Sequence, residues 1–298
     1  MSSDYACSEK RNKRKEKANA RERGFHLLTL SGKDDGALLD LAKKYQEHLE
    51  KHPEQELGDI AYTAYTGRSH FEERLGIVVK DLEDLKTKLK ELASGKTLKG
   101  VARSHIADGK PKIAFLFTGQ GSQYQGMGQE LYAKERVFKE ALDACEEALR
   151  EILARPLKEI LFNDKTNLID QTEYTQPCLF ALEYSLFKLL ESWGITPHGV
   201  MGHSVGEFAA AVASNVMSLK DGAKLIGMRA KLMSKLPGKG AMVSVMAPLA
   251  EIEKLIEPYL KEVSIAAING PQSIVIAGDE KRLLELSGEL EKQGKKIK

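Results

Sequence analysis

Apolar positions along this chain fall into short runs and helical stripes separated by turn residues. Phe25-His26-Leu27-Leu28-Thr29-Leu30 reads as a strand. Gly36 to Glu50 reads as a helix, with Leu38, Leu39, Leu41 and Ala42 at helical spacing. Leu57 to Tyr65 predicts a second helix, Phe71 to Val79 a strand, and Leu82 to Leu92 a charged amphipathic helix. Lys112-Ile113-Ala114-Phe115-Leu116-Phe117 is nearly all apolar, as expected of a parallel strand buried on both faces. Residues 129–162 read as helical through Leu131, Phe138, Leu142, Ala148, Ile152, Leu157 and Leu161. A further helix is predicted from Cys178 to Trp193, with Pro177 in its first turn, where a missing N–H costs nothing.

Next comes the stretch that carries the chemistry. His198-Gly199-Val200-Met201 is strand-like, Gly202-His203-Ser204-Val205-Gly206-Glu207 is a tight turn, and Phe208 to Ala213 is small and helix-compatible. A strand, a G-x-S-x-G turn and a helix make the setting of a nucleophile elbow. Gly202 and Gly206 let strand and helix approach closely. Ser204 is then exposed at the turn, below helix N–H groups that face any oxyanion formed there. Upstream, Thr118-Gly119-Gln120-Gly121-Ser122-Gln123 is a glycine-rich turn at the end of a parallel strand, where α/β proteins build their sites. No Lys-Ser/Thr follows, so it is not a phosphate loop.

Ser218-Leu219-Lys220-Asp221 has the form of a capping box and opens a helix to about Leu236. Gly222, Ile226, Met233 and Leu236 lie along one face of it, with Arg229 among them. A guanidinium there either meets an anion or extends its head to water. Pro237-Gly238-Lys239-Gly240 breaks the pattern. Beyond it, Ala241–Met246, Val263–Ile268 and Ser273–Gly278 read as strands, and Leu249–Leu260 and Asp279–Gln293 as helices. Their order, β-α-β-β-α, is that of a ferredoxin-like unit without its last strand. Asn269-Gly270-Pro271 is the expected turn of the strand pair.

Composition narrows the class. A length of 298 residues suits about two domains, and 42% hydrophobic residues can fill a core. The apolar runs are shorter than the roughly 18 residues of a membrane span, so no membrane is implied. Cys7, Cys145 and Cys178 form no C-x-x-C pair, which argues against metal knuckles and disulfides and fits a reducing cytoplasm. The net charge is +2, but residues 1–24 alone carry eight Lys/Arg against four Asp/Glu. The remainder is −2, so nucleic acid is not an implied partner. The basic segment 1–24 reads as a solvated arm, with nuclear targeting or anion binding as the alternatives.

Gly-His-Ser-Val-Gly-Glu at 202–207, with Phe117-Thr118-Gly119-Gln120-Gly121-Ser122-Gln123, resembles the acyltransferase domain of type I polyketide synthases. It is similar also to malonyl-CoA:acyl carrier protein transacylases. Residues 25–105, with Thr66-Gly67-Arg68-Ser69-His70-Phe71, resemble the linker between ketosynthase and acyltransferase domains. The resemblance implies an α/β chain: a basic arm at 1–24, a small α+β linker domain at 25–105, and part of an α/β-hydrolase-like core at 106–238. A partial, inserted ferredoxin-like subdomain would occupy 239–298.

It also implies site roles. Ser204 is the nucleophile, and the backbone N–H groups of Gln120 and Val205 form the oxyanion hole. Arg229 pairs with the free carboxylate of a malonyl-type substrate. His203, Gln176 and Asn269 match pocket residues; for Gln176 a capping or turn role, and for Asn269 a turn role, stay open. Val205 resembles malonyl-selective members. Malonyl-CoA would be the acyl donor and the phosphopantetheine thiol of an acyl carrier protein the acceptor, with a ketosynthase domain as a further partner. No metal or bound cofactor is implied.

One departure stands out. A serine nucleophile needs a base, and no histidine follows Ser204. His203 is adjacent and directed to the opposite side. The resembling family places its histidine just after the small subdomain, so the expectation is a truncated piece of a larger synthase, or a split or broken gene product. Two alternatives follow: a fragment acting only as an interaction module, and an α/β-hydrolase-type esterase, which would itself need a later histidine.

Overall fold

The structure, a computed structural model, describes residues 24–92, 98–106, 111–236 and 240–297. The basic arm up to residue 23 and the breaker Pro237-Gly238-Lys239 lie outside the described residues. The chain forms two compact units. One holds the described residues up to Asp170 together with Tyr174–Ile226, and the other holds Gln171–Glu173 with the residues from Gly227 onward.

The first unit begins with an antiparallel sheet of β1 (His26–Gly32), β2 (Glu73–Val79) and β3 (Val101–His105), in that order. Leu28 and Leu30 from β1, and Leu75, Ile77 and Val79 from β2, point to one face. Against them pack Leu38, Ala42 and Leu49 of α1 (Asp35–Lys51) and Leu85 and Leu89 of α3 (Leu82–Leu92), in a core that also includes residues of α2 (Leu57–Thr66). Asp34 caps α1 by accepting the Ala37 N–H at 2.8 Å. Strand β3 was not predicted: Val101-Ala102-Arg103-Ser104-His105 is mostly exposed and polar and carries almost no alternating signal.

The rest of this unit is built on two parallel strands, β4 (Ala114–Phe117) and β5 (Gly199–Gly202), paired from Ala114↔Gly199 to Phe117↔Gly202. The helical stretch 129–162 is three helices, α4 (Gln129–Lys134), α5 (Arg136–Leu149) and α6 (Leu157–Phe162). The extended Glu135, and Pro156 before α6, interrupt it. The long helix α7 spans Thr172–Ser192. It starts six residues before the predicted Cys178, so Pro177 lies inside it, not in its first turn. The starting turns are held by the buried Thr175 hydroxyl, which donates to Ile169 O at 2.6 Å.

Phe115, Phe117 and Val200 join a core with α5, α6, α7 and α8 (Gly206–Ala213). Their neighbours Leu116 and Met201 point the other way and are 68% and 64% exposed. The expected burial of β4 on both faces is therefore corrected: among the described residues helices cover one face only, and alternation along a strand sends every second side chain to the other.

Helix α9 (Leu219–Ser234) runs across the division between units. Ser218 caps it as expected: its Oγ accepts the Asp221 N–H at 3.1 Å and lies 2.6 Å from Asp221 Oδ2. Its buried stripe is Gly222, Ala223, Ile226 and Ala230. Met233 and Leu236, assigned to that stripe from the sequence, are exposed.

In the second unit, β6 (Gly240–Val245), β7 (Val263–Gly270) and β8 (Ser273–Asp279) form an antiparallel sheet in the order β6-β8-β7. Helices α10 (Leu249–Ile256) and α11 (Glu280–Lys292) supply Ile252, Ile256, Leu283, Leu286 and Leu290 to a core with Val245, Ile274 and Ile276. Val245 bridges Ile297 antiparallel on the free side of β6, and Met246 N donates to Lys296 O at 2.9 Å. A fourth strand thus begins where the ferredoxin-like order requires it. The fold is the α/β class read from the sequence.

Candidate active site

The two parallel strands end side by side, and the two chemistry-bearing loops leave from those ends. After β4 comes the loop 118–123; after β5 comes the turn 203–205, which enters α8. Crevices at the carboxyl ends of parallel strands are where open α/β sheets bind ligands.

Ser204 has φ +52, the left-handed region that β-carbon-bearing residues avoid. The turn that forces it there is held by short-range bonds: Gly206 N to His203 O at 3.1 Å, Glu207 N to Ser204 O at 3.2 Å, and Phe208 N to Val205 O at 3.1 Å. A β-carbon on Gly202 would overlap the Gly206–Glu207 backbone, and one on Gly206 would overlap the Phe117 carbonyl. Only glycine fits at either place. The result is an exposed Ser204 above a buried Val205, whose amide stands at the head of α8, before those of Gly206, Glu207 and Phe208. Backbone strain concentrated on one serine at a helix N-terminus is a feature of nucleophile sites.

The turn and the loop form one assembly. His203 N donates to Phe117 O at 3.1 Å. The His203 ring lies against Gly119, where an added β-carbon would come within 2.9 Å of Nδ1. Inside the loop, Gly121 adopts φ +114 and its N–H donates to Gln123 Oε1 at 2.8 Å. Gln123 Nε2 in turn donates to Asp170 Oδ1 at 3.1 Å. Gln120 is exposed at the crest of this loop.

Below the loop lies a residue that sequence reasoning passed over. Glu183 of α7 is 8% exposed, and its Oε1 accepts the Thr118 N–H at 2.6 Å and the Thr118 hydroxyl at 2.7 Å. Burial pushes its carboxyl above the ordinary range, and the two Thr118 bonds pull the other way. The signal was present in the sequence: Glu183 is the single charge between Pro177 and Phe187.

The other predicted residues are placed as follows. Gln176 is buried inside α7, at 1% exposure, so its alternative as a capping or turn residue is corrected: α7 begins four residues earlier. Arg229 is half-buried on α9 and belongs to the second unit with Asn269. Asn269 is not in the turn. It is exposed in β7, at a register shift between the pairs Ile268↔Ile274 and Gly270↔Ser273. A bulge sets two residues of one strand against one of the other, and here Pro271-Gln272 makes the turn instead. The structure thus assembles Ser204, Val205, His203 and the Gln120 loop in one place.

Cys145 and Cys178 are buried, and burial pushes both thiols far above their ordinary range, which removes them as nucleophiles. Among the described residues no group of three or more His, Cys, Asp or Glu could hold a metal ion, and no helix is long and apolar enough to cross a membrane. A groove of ≈ 1190 Å³ lies elsewhere, lined by Lys44, His48, Glu56 and Arg68 of the N-terminal segment, and contains none of the site residues.

Comparison with known proteins bears on the family and the fold. Residues 114–298 match the family described as acyl transferase domain, and residues 26–89 match the family described as CurL-like, PKS C-terminal. The chain is 40% identical over 273 residues to the spectinabilin polyketide synthase system protein NorB of Streptomyces orinoci, covering 90% of this chain and 12% of that one. It is 39% identical over 268 residues to mycoketide-CoA synthase of Mycobacterium tuberculosis, covering 90% and 6%.

Among solved structures it is similar to the acyltransferase domain from module 8 of the salinomycin polyketide synthase, with TM-score 0.85, 32% identity, and coverage of 93% of this chain and 66% of that one. A malonyl CoA-acyl carrier protein transacylase from Clostridium perfringens matches with TM-score 0.57, 32% identity, and coverage of 63% and 60%. The chain spans a small fraction of these synthases and about two thirds of the solved domain. With its elbow, its ferredoxin-like unit and these matches, the chain belongs to the acyl transferase domain family of polyketide synthases.

Proposed function

We propose that this chain moves a malonyl or related α-carboxyacyl group from coenzyme A, through an ester on Ser204, to the phosphopantetheine thiol of an acyl carrier protein. The observation that carries this reading is the left-handed Ser204 at the head of α8, beside a loop fastened to the same turn. Ser204 Oγ attacks the thioester carbonyl and forms a C–O bond. The negative charge on the carbonyl oxygen is met by the N–H groups of Val205 and Gln120. The C–S bond breaks, and coenzyme A leaves as the thiol after taking the proton lost by serine. In the second half the carrier thiol attacks the ester, its sulfur forms the new C–S bond, the C–O bond to Ser204 breaks, and Ser204 Oγ takes up the proton the thiol loses.

Arg229 receives the free carboxylate in this scheme, since a guanidinium fork matches a carboxylate in two parallel bonds. In this scheme His203 shapes the loop side of the site, and Gln176 and Asn269 are assigned to the acyl pocket, Asn269 from the small subdomain. A ketosynthase domain is the second partner, contacted through residues 25–105. Malonyl is the acyl group this reading favours, because of Arg229 and the Val205 match.

A second reading has its own observation: residues 26–89 match the family described as CurL-like, PKS C-terminal, outside the acyl transferase match at 114–298. In that reading the chain is an interaction module without transfer activity.

Incubation with malonyl-CoA and a phosphopantetheinylated carrier protein separates the readings. Malonyl on the carrier supports transfer, free malonate without malonyl-carrier supports an esterase, and carrier binding with neither product supports the module.

A further inference from the structure

Glu183 is poorly suited to stabilising this fold. It sits in α7 among Phe180, Ala181 and Phe187, all buried, and among the described residues its Oε2 has no hydrogen-bond partner. A buried acceptor left without a partner costs free energy, and replacing such a group by an apolar residue of similar size is often neutral or stabilising. What the carboxylate does hold is Thr118, by its N–H and its hydroxyl at once, through Oε1 alone.

The Thr118 hydroxyl, with its proton given to Glu183, can only accept from Ser122 Oγ, 3.0 Å away. Ser122 Oγ also lies 3.2 Å from the Gly119 carbonyl, on the residue before Gln120. On the other side, the Thr118 carbonyl abuts Gly206, where an added β-carbon would lie 2.6 Å from that oxygen. Thr118 is therefore gripped from α7 below and from the elbow beside it. The next two residues lead directly to the Gln120 amide.

We propose that Glu183 is a positioning residue for this site: by fixing both polar groups of Thr118 it sets the direction of the Gln120 N–H toward the oxyanion on Ser204. This inference rests on the transfer reading given above, and it assigns no contact between Glu183 and substrate. It requires an acceptor at Oε1 and no particular charge. Leucine would fill the cavity without the acceptor, and glutamine would keep one.

The test follows Ser204 acylation of the whole chain by malonyl-CoA in a single turnover, read by intact mass. Glu183→Leu should slow the saturating rate by about 10- to 100-fold, in the range for a misaimed oxyanion donor, with the half-saturating malonyl-CoA concentration changed less than about threefold. Glu183→Gln should recover the rate to within about fivefold of the parent, and Glu183→Leu should melt no lower than Glu183→Gln. A Glu183→Leu chain that is folded and acylates at the parent rate, or whose loss appears only in the half-saturating concentration, would overturn the proposal. If the parent chain takes no malonyl at all, the transfer reading has failed, and amide exchange decides the positioning claim by itself. Faster exchange at Thr118 and Gln120 in Glu183→Leu, reversed in Glu183→Gln, upholds it; unchanged exchange at both amides overturns it.

Discussion

A methyl group placed on Gly206 would run into the carbonyl of Phe117, the residue whose oxygen also accepts the His203 N–H at 3.1 Å. Strand β4 and the elbow are thus locked by a contact that permits no side chain. Gly206→Ala should cost about 1–3 kcal/mol, the usual penalty of overpacking against a fixed neighbour. Because the backbone must shift beneath Ser204, acylation should fall with it. Denaturant midpoints and acylation rates of the same preparation check both.

Ser204 carries its own strain, at φ +52. Glycine adopts this conformation freely, whereas a β-carbon costs roughly 1–2 kcal/mol there. Ser204→Gly should therefore be about 1 kcal/mol more stable than Ser204→Ala, with both inactive. Equal unfolding free energies for the two would mean that the left-handed turn is not held in solution.

Two carboxylates, the buried Glu183 and the half-buried Asp143, give opposite pH behaviour. Glu183 is raised above its ordinary value of 4.5 by burial, against the pull of Thr118. Its carboxyl is thus best tolerated when protonated: its contribution is fully present below pH 4.5 and is lost as pH rises through the folded value. Asp143 is lowered from 3.8 to about 2; burial opposes the shift, and hydrogen bonds from Lys139, Lys158 and Tyr132 outweigh it. Its contribution is present above pH 3.8 and is lost as pH falls toward about 2. Melting curves should show Glu183→Gln gaining on the parent as pH rises above 4.5, and Asp143→Asn losing to it at neutral pH but converging in acid.

The start of α9 rests on a capping box. Ser218 Oγ accepts the Asp221 N–H at 3.1 Å and meets its carboxylate at 2.6 Å. Ser218→Ala should cost about 1 kcal/mol, whereas Ser218→Asp should retain most of the stability. Thermal unfolding distinguishes them.

Selectivity follows from Arg229 if it receives the substrate carboxylate. Arg229→Ala should slow acylation by malonyl-CoA by about 10- to 100-fold, the worth of a charged hydrogen-bonded pair, and leave acetyl-CoA unaffected or improved. Competition between the two donors, read by mass, gives the ratio directly. A ratio unchanged from the parent would remove Arg229 from the site.

The parts legible in the sequence were those with a local cause. The two glycines around Ser204, the Ser218–Asp221 box and the β-α-β-β-α order each depend on residues close together in the chain. What was missed depends on tertiary context. Strand β3 forms because Val101 to His105 pair with Ile77 to Glu73, and nothing in its own alternation required it. Pro177 looked like a helix start, yet Thr175 and Gln176 are buried within the same helix. Asn269 looked like a turn residue because the bulge that places it in β7 depends on register with β8. Glu183 was hidden for a similar reason: its partner Thr118 lies 65 positions away.

The central claim is that Ser204 is the acyl carrier of this chain. The measurement is the intact mass of the purified protein before and after malonyl-CoA, beside Ser204→Ala, with the adduct located by peptide fragmentation. The account predicts one malonyl group per chain on Ser204 and none on the variant. A folded parent chain that takes no malonyl, or takes it on another residue, would contradict it.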